Sequence, residues 1–170
     1  MITYKAFDKN LSCQGFQYLI GKKYKMAGKI EMCQNGFHSC VDLLSTSRFY
    51  KLDPDQSRWA EVEIDDKALY NKEDGKYCSK TIRIVREIFW GEVLREFDKQ
   101  SVGGYLDLQD TQIKSLGSLQ SVGGSLDLRG TQIKSLGSLQ SVGGYLYLRG
   151  TQINKSDIPG KLLSKCIFTE

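Results

Sequence analysis

His38 is the only histidine in the 170-residue chain, so it is the one side chain that can exchange a proton near neutral pH without a large environmental shift. It lies in the phrase GFHSC (36–40), directly after Phe37. No serine or cysteine with a partner acid stands at a spacing that would make it a general base, and an imidazole packed beside Phe37 is favoured over a catalytic one. The five cysteines, Cys13, Cys33, Cys40, Cys78 and Cys166, are odd in number and show no CxxC spacing. With a single histidine they do not make a zinc set, and reduced intracellular thiols are expected. Three glycine pairs, at 103–104, 123–124 and 143–144, are followed by neither a helix start nor a GK[ST] step, which argues against a phosphate cradle there. No cofactor and no metal are expected.

The dominant organising feature is a sentence of twenty residues written nearly three times. QSVGGYLDLQDTQIKSLGSL (100–119) is followed by QSVGGSLDLRGTQIKSLGSL (120–139) and by QSVGGYLYLRGTQIN, which then leaves the period. Val102, Leu106, Leu108, Ile113, Leu116 and Leu119 recur in register, and L-x-L places two leucines on one face of a short strand. One copy cannot bury this apolar ring, whereas copies stacked as parallel strands about 4.8 Å apart would do so. The glycine pairs suit a corner where neighbouring coils approach closely. Thr111, Thr131 and Thr151 stand where a hydroxyl can satisfy backbone groups in a bend, stacking as a ladder.

The copies differ chiefly where a strand shows its outer side. The resulting outward lattice is Tyr105, Asp107 and Gln109, then Ser125, Asp127 and Arg129, then Tyr145, Tyr147 and Arg149. Tyrosine and arginine commonly anchor interfaces, so these nine residues form the candidate partner-binding face. Asp107 above Asp127 is a like-charge pair that the neighbouring Arg129 or a cationic partner would relieve.

Residues 1–99 read as a separate small α+β domain. Ile2 to Phe7, Lys29 to Cys33, Arg58 to Ile64 and Thr81 to Ile88 are strand candidates. Asp42 to Leu52 reads as a helix before Pro54, and Phe89 to Lys99 as a second helix. The apolar side of the latter, Phe89, Val93, Leu94 and Phe97, is expected to cap the first repeat. After Ile153, Asp157, Pro159 and the pairs Leu162–Leu163 and Ile167–Phe168 read as a C-terminal cap. The expected architecture is therefore a mixed domain (1–99) followed by a short parallel β solenoid with its cap (100–170).

The pattern L-x-L-x-x-T-x-I-x-x-L-x-x-L resembles leucine-rich repeats, with Thr where that family most often has Asn or Cys. The twenty-residue period and the V-G-G before the strand also resemble bacterial and phage repeat proteins related to receptor L domains. That resemblance implies a right-handed solenoid whose strands form one exposed sheet used for binding. The phrases TYKAFDKNLSCQGFQY, GKKYKMAGKIEMCQNGFHSC and RWAEVEI resemble a family of uncharacterised phage and prophage proteins, which implies a viral or mobile-element origin and supplies no activity to carry over. More distantly, the order of Tyr4-Lys5, GFHSC and Glu61-Val62-Glu63 resembles ADP-ribosyltransferases. That likeness implies Ser39 in the middle phrase and Glu61 or Glu63 as the activating acid, with His38 the remaining catalytic candidate. Lys5 stands where the group has Arg or His, the middle phrase lacks Ser-x-Ser, and Arg58, Lys5 or Lys29 could neutralise both glutamates.

Twenty-four basic against twenty acidic residues give a net +4 with no dense basic patch, so direct nucleic-acid binding is not expected. The N-terminus lacks a secretory pattern and no apolar run is long enough to span a membrane, so a cytoplasmic protein is expected, in the host cytoplasm if phage-encoded. The functional expectation is a non-enzymatic protein that binds and inhibits a host protein or protein complex, for instance a bacterial defence complex such as a CRISPR nuclease. The alternatives are a transferase-like or nucleotide-binding N-terminal domain carrying a repeat targeting module, and a virion component.

Overall fold

The computed structural model describes residues 1–72 and 74–168. The N-terminal region is a seven-stranded antiparallel sheet rather than a mixed α+β unit. Its strands are β1 (Ile2–Asp8), β4 (Lys23–Lys25), β5 (Phe37–Cys40), β6 (Ser57–Ile64), β7 (Leu69–Asn71), β8 (Lys76–Ser79) and β9 (Thr81–Ile88). Their spatial order is β4-β9-β6-β1-β5-β8-β7, and a small hairpin of β2 (Ser12–Cys13) and β3 (Phe16–Gln17) folds beside them.

Both faces of this sheet are covered, because β1 and β6 alternate apolar residues between two cores. Phe7, Ala60, Val62 and Ile64 join Tyr18, Phe37, Ile82 and Ile84 on one side. Ala6, Trp59 and Ile88 join Leu43, Leu44, Val93 and Phe97 on the other. This second core continues without a break into the leucines of the repeats, so the two regions share their apolar interior.

Two expected elements are replaced. Asp42 to Leu52 is not an α-helix but a 3₁₀ turn over Leu44–Arg48. Its short polar side chains compete with helical bonding, since Ser45 Oγ donates to Asp42 and Thr46 Oγ1 donates to the Leu43 carbonyl at 2.6 Å. Lys29 to Cys33 is a loop, closed by a Glu31↔Asn35 bridge and by Asn35 Nδ2 donating to the Lys29 carbonyl at 2.7 Å. The second expected helix shrinks to α1 (Trp90–Arg95) and a 3₁₀ turn at Glu96–Asp98. Val93 and Phe97 are buried against the repeats, but Phe89 is 69 % exposed and Leu94 lies largely outside.

The repeats do not form the expected solenoid with one exposed sheet. Each copy supplies two-residue strands to two separate parallel sheets. One contains β10 (Ser101–Val102), β12 (Ser121–Val122) and β14 (Ser141–Val142). The other contains β11 (Leu106–Asp107), β13 (Leu126–Asp127), β15 (Leu146–Tyr147) and the final β16 (Cys166–Ile167). The strands stay short because the glycine pair turns the chain before L-x-L, and left-handed backbone at Asp110, Gly130 and Gly150 turns it again just after. Pairing is in exact twenty-residue register, Leu106↔Leu126↔Leu146, and the apolar positions of the first two copies are almost fully buried.

The threonine hydroxyls act within their own copies, Thr111 Oγ1 donating to the Leu108 carbonyl and Thr131 Oγ1 to that of Leu128 at 2.7 Å. The tail forms a 3₁₀ turn (Lys155–Asp157) and α2 (Gly160–Leu163), then adds β16 beside β15 as a parallel fourth strand. The overturned fold expectation thus gives way to a mostly antiparallel sheet, small parallel sheets and few, short helices.

Candidate functional site

β1 pairs with β6 along its whole length but meets β5 at one position, Tyr4↔Cys40. The two strands therefore separate beyond that point, and a cleft of about 850 Å³ lies there. Lys5 from β1, His38, Ser39 and Cys40 from β5, and Lys76 from β8 line it, together with aromatic residues of the β2–β3 hairpin and the loop after the 3₁₀ turn.

The two lysines are only 6 and 7 % exposed. Lys5 Nζ donates to the His38 carbonyl at 3.0 Å and to Cys13 Sγ at 3.5 Å, and lies 5.5 and 5.7 Å from the Phe7 and Tyr18 ring centres. Lys76 Nζ donates to Cys33 Sγ at 3.1 Å and lies 5.0 Å from the Phe49 ring centre. Its carboxylate neighbour, Asp74 at 3.8 Å, is shared with Arg48. Ring faces, neutral acceptors and one shared carboxylate thus hold two buried ammonium groups.

His38 Nε2 accepts the Cys33 N–H at 3.0 Å. Burial, then the charges of Lys76 and Lys5, push the imidazole down to about 4. At neutral pH it is an uncharged acceptor whose lone pair is already engaged, which fits a structural role better than a general base. Burial pushes the Cys40 thiol up to about 12, so it stays protonated.

An unfolded histidine titrates near 6.5 and the folded one near 4, so the unfolded state takes up the proton first as pH falls. Stability carried by neutral His38 is complete above 6.5 and is lost between 6.5 and about 4. His38→Gln, which can still accept from Cys33, is expected to flatten this segment of the stability profile. Urea midpoints at pH 7 and pH 5 check it: the wild type loses more than the variant on acidification.

Glu61 and Glu63 lie elsewhere. They stand across from Tyr4 and Ile2 on β6, outside the lining of the cleft, and Glu61 accepts from Arg86 at 2.7 Å. Arg86 also binds Glu92 at 2.8 Å. Ser39 accepts from the Thr3 hydroxyl at 2.8 Å. The structure brings His38 and Ser39 to the cleft and leaves both glutamates out. The alternation of Thr3, Lys5 and Phe7 was a readable sign that Lys5 faces the interior, whereas the spacing of Lys76 gave none.

On the repeats, the expected outward lattice divides. Asp127 is 0 % exposed, held by Arg129 Nε at 2.9 Å and by the Tyr105 hydroxyl at 3.3 Å. Arg129 therefore relieves the carboxylate from inside the molecule. Asp107 is half-buried and its carboxyl is raised by burial, then by Asp127, against the lowering effect of the Gln109 N–H and of Arg129. Tyr105, Gln109 and Ser125 are also half-buried, and Ser125 Oγ accepts the Tyr145 N–H at 2.9 Å. The freely presented part is Tyr145, 57 % exposed, and exposed Arg149; Tyr147, at 6.3 Å from Tyr145 between ring centres, is half-buried. Arg129 lies 5.4 Å from the Tyr147 ring centre.

Fold and site together define a β-sheet domain with a basic, aromatic-lined cleft, continued by a short stack of repeats. The chain belongs to the family described as Domain of unknown function (DUF7666), which matches residues 1–96. No curated protein matches the chain, and no solved structure matches it. Among the described residues no helix is long and apolar enough to cross a membrane, and no group of three or more His, Cys, Asp or Glu side chains could hold a metal ion.

Proposed function

We propose that the protein is a non-enzymatic binding protein of phage or mobile-element origin that works in the host cytoplasm. It engages and inhibits a host protein or protein complex, such as a bacterial defence effector, through its repeats. One observation carries this reading: exposed Tyr145 and Arg149, with half-buried Tyr147 between them, form an aromatic and cationic patch on the last copy, with Tyr147 beside Arg129. Such side chains bring large contact area with few rotatable bonds to order on binding. The phage-like phrases of residues 3–64 support the origin. The transferase alternative would need Glu61 or Glu63 in the cleft, whose lining includes neither.

The triple variant Tyr145→Ala, Tyr147→Ala, Arg149→Ala is expected to keep its melting temperature within a few degrees. It should bind the host complex captured by the wild type at least about tenfold more weakly, as loss of interface anchors does. Equal affinity for wild type and variant removes the repeats from the recognition surface.

A further inference from the structure

We infer that the cleft between β1 and β5 is a binding site for a mononucleotide, a phosphomonoester carried on a planar base. The inference is independent of the repeat surface. Lys5 and Lys76 bring two nearly buried ammonium groups to one cavity, and their partners are a carbonyl, two thiols and a single carboxylate that Arg48 already engages. Charges withdrawn from water without full counter-charge favour an anion that enters between them. A phosphomonoester dianion matches two ammonium groups, whereas a single carboxylate neutralises one.

The walls select what carries the phosphate. Phe16, Tyr18 and Tyr24 pack edge to face at 4.8 to 5.3 Å, and Phe49 at the rim is 44 % exposed beside Lys76. Flat aromatic surface beside cations suits a planar base, and about 850 Å³ falls within the usual range of small-molecule clefts, roughly 300–1,000 Å³. The site arises because the β1–β5 ladder stops after Tyr4↔Cys40 and leaves the sheet open where Lys5 reaches across to the His38 carbonyl.

The test uses the full chain with AMP, GMP, CMP and UMP, the matching nucleosides, inorganic phosphate and free phosphotyrosine, followed by thermal unfolding and calorimetric titration. At least one mononucleotide should raise the melting temperature, since a ligand of the native state stabilises it. Its nucleoside and inorganic phosphate should each bind at least about tenfold more weakly, as loss of charge-assisted contacts or of stacking implies. Lys5→Gln and Lys76→Gln should each lower affinity by about tenfold or more. Phe49→Ala, at the exposed rim, should weaken the nucleotide by a larger factor than it weakens inorganic phosphate; this keeps the test decisive where a lysine variant fails to fold. The inference is overturned if no mononucleotide shifts the melting temperature or if the nucleoside binds as tightly. Full affinity in the folded lysine variants, or in Phe49→Ala, overturns it too, as does preference for phosphotyrosine over every nucleotide.

Discussion

Gly143→Ala is expected to lower stability by about 3 kcal/mol or more, the range of severe overpacking. A methyl group there would fall inside the contact radius of the Gly123 carbonyl oxygen and stand 2.7 Å from its carbon. The obstacle is backbone, and that backbone cannot turn aside, because Gly143 N–H donates to the Val122 carbonyl at 2.8 Å and Gly144 N–H to that of Gly124 at 2.9 Å. For a chain of this size about 3 kcal/mol corresponds to a fall of roughly 6–12 °C in melting temperature. Gly137→Ala is the matched control: its backbone is left-handed, but the added carbon would have 3.8 Å of room. It should cost about 1 kcal/mol, from conformation alone. Equal losses in the two variants, read by chemical unfolding, would contradict close stacking of the glycine pairs.

Arg129→Ala should be the next most damaging single change, at about 3 kcal/mol, because it strands a fully buried carboxylate. Asp127 is held by Arg129 through Nε at 2.9 Å and by the second guanidinium nitrogen at 2.5 Å. After the substitution its remaining partners are the backbone N–H of residue 129 at 3.1 Å and the Tyr105 hydroxyl. The arginine is itself substantially exposed, so the opposite change, Asp127→Asn, leaves a cation that water can solvate. The double variant Asp127→Asn with Arg129→Ala should therefore be more stable than Arg129→Ala alone. A double-mutant cycle with no coupling between these two positions would falsify the claim that the pair is internal.

Fold and site were legible in the sequence to different depths. The period fixed register, burial and the tight glycine corners, because Leu106, Leu126 and Leu146 have no other way to hide together. What the period could not reveal was that L-x-L, turned at both ends, would build two narrow ladders instead of one broad sheet. In the N-terminal region β1, β6 and β9 announced themselves by alternation. β5 and β8 did not, because their polar residues Ser39, Lys76 and Ser79 face Thr3, Cys33 and the Phe37 carbonyl, all far along the chain. The segment 44–48 misled for a related reason, since Ser45 and Thr46 form local bonds that no apolar count records. The cleft was thus hidden twice over: it depends on where a ladder ends, and on a lysine whose neighbour, Cys33, comes from a loop that reads as a strand.

The final strand, Cys166–Ile167, occupies beside Leu146–Tyr147 the place that a further L-x-L would take. Lys165 supports this from the side, its Nζ donating to the Val142 and Gly143 carbonyls. The seam between Leu139 and Gln140 joins units that meet the same neighbours twenty residues away on either side. Inserting one more twenty-residue unit there is therefore expected to keep the pairing on both sides in register, with Cys166–Ile167 still closing the last ladder.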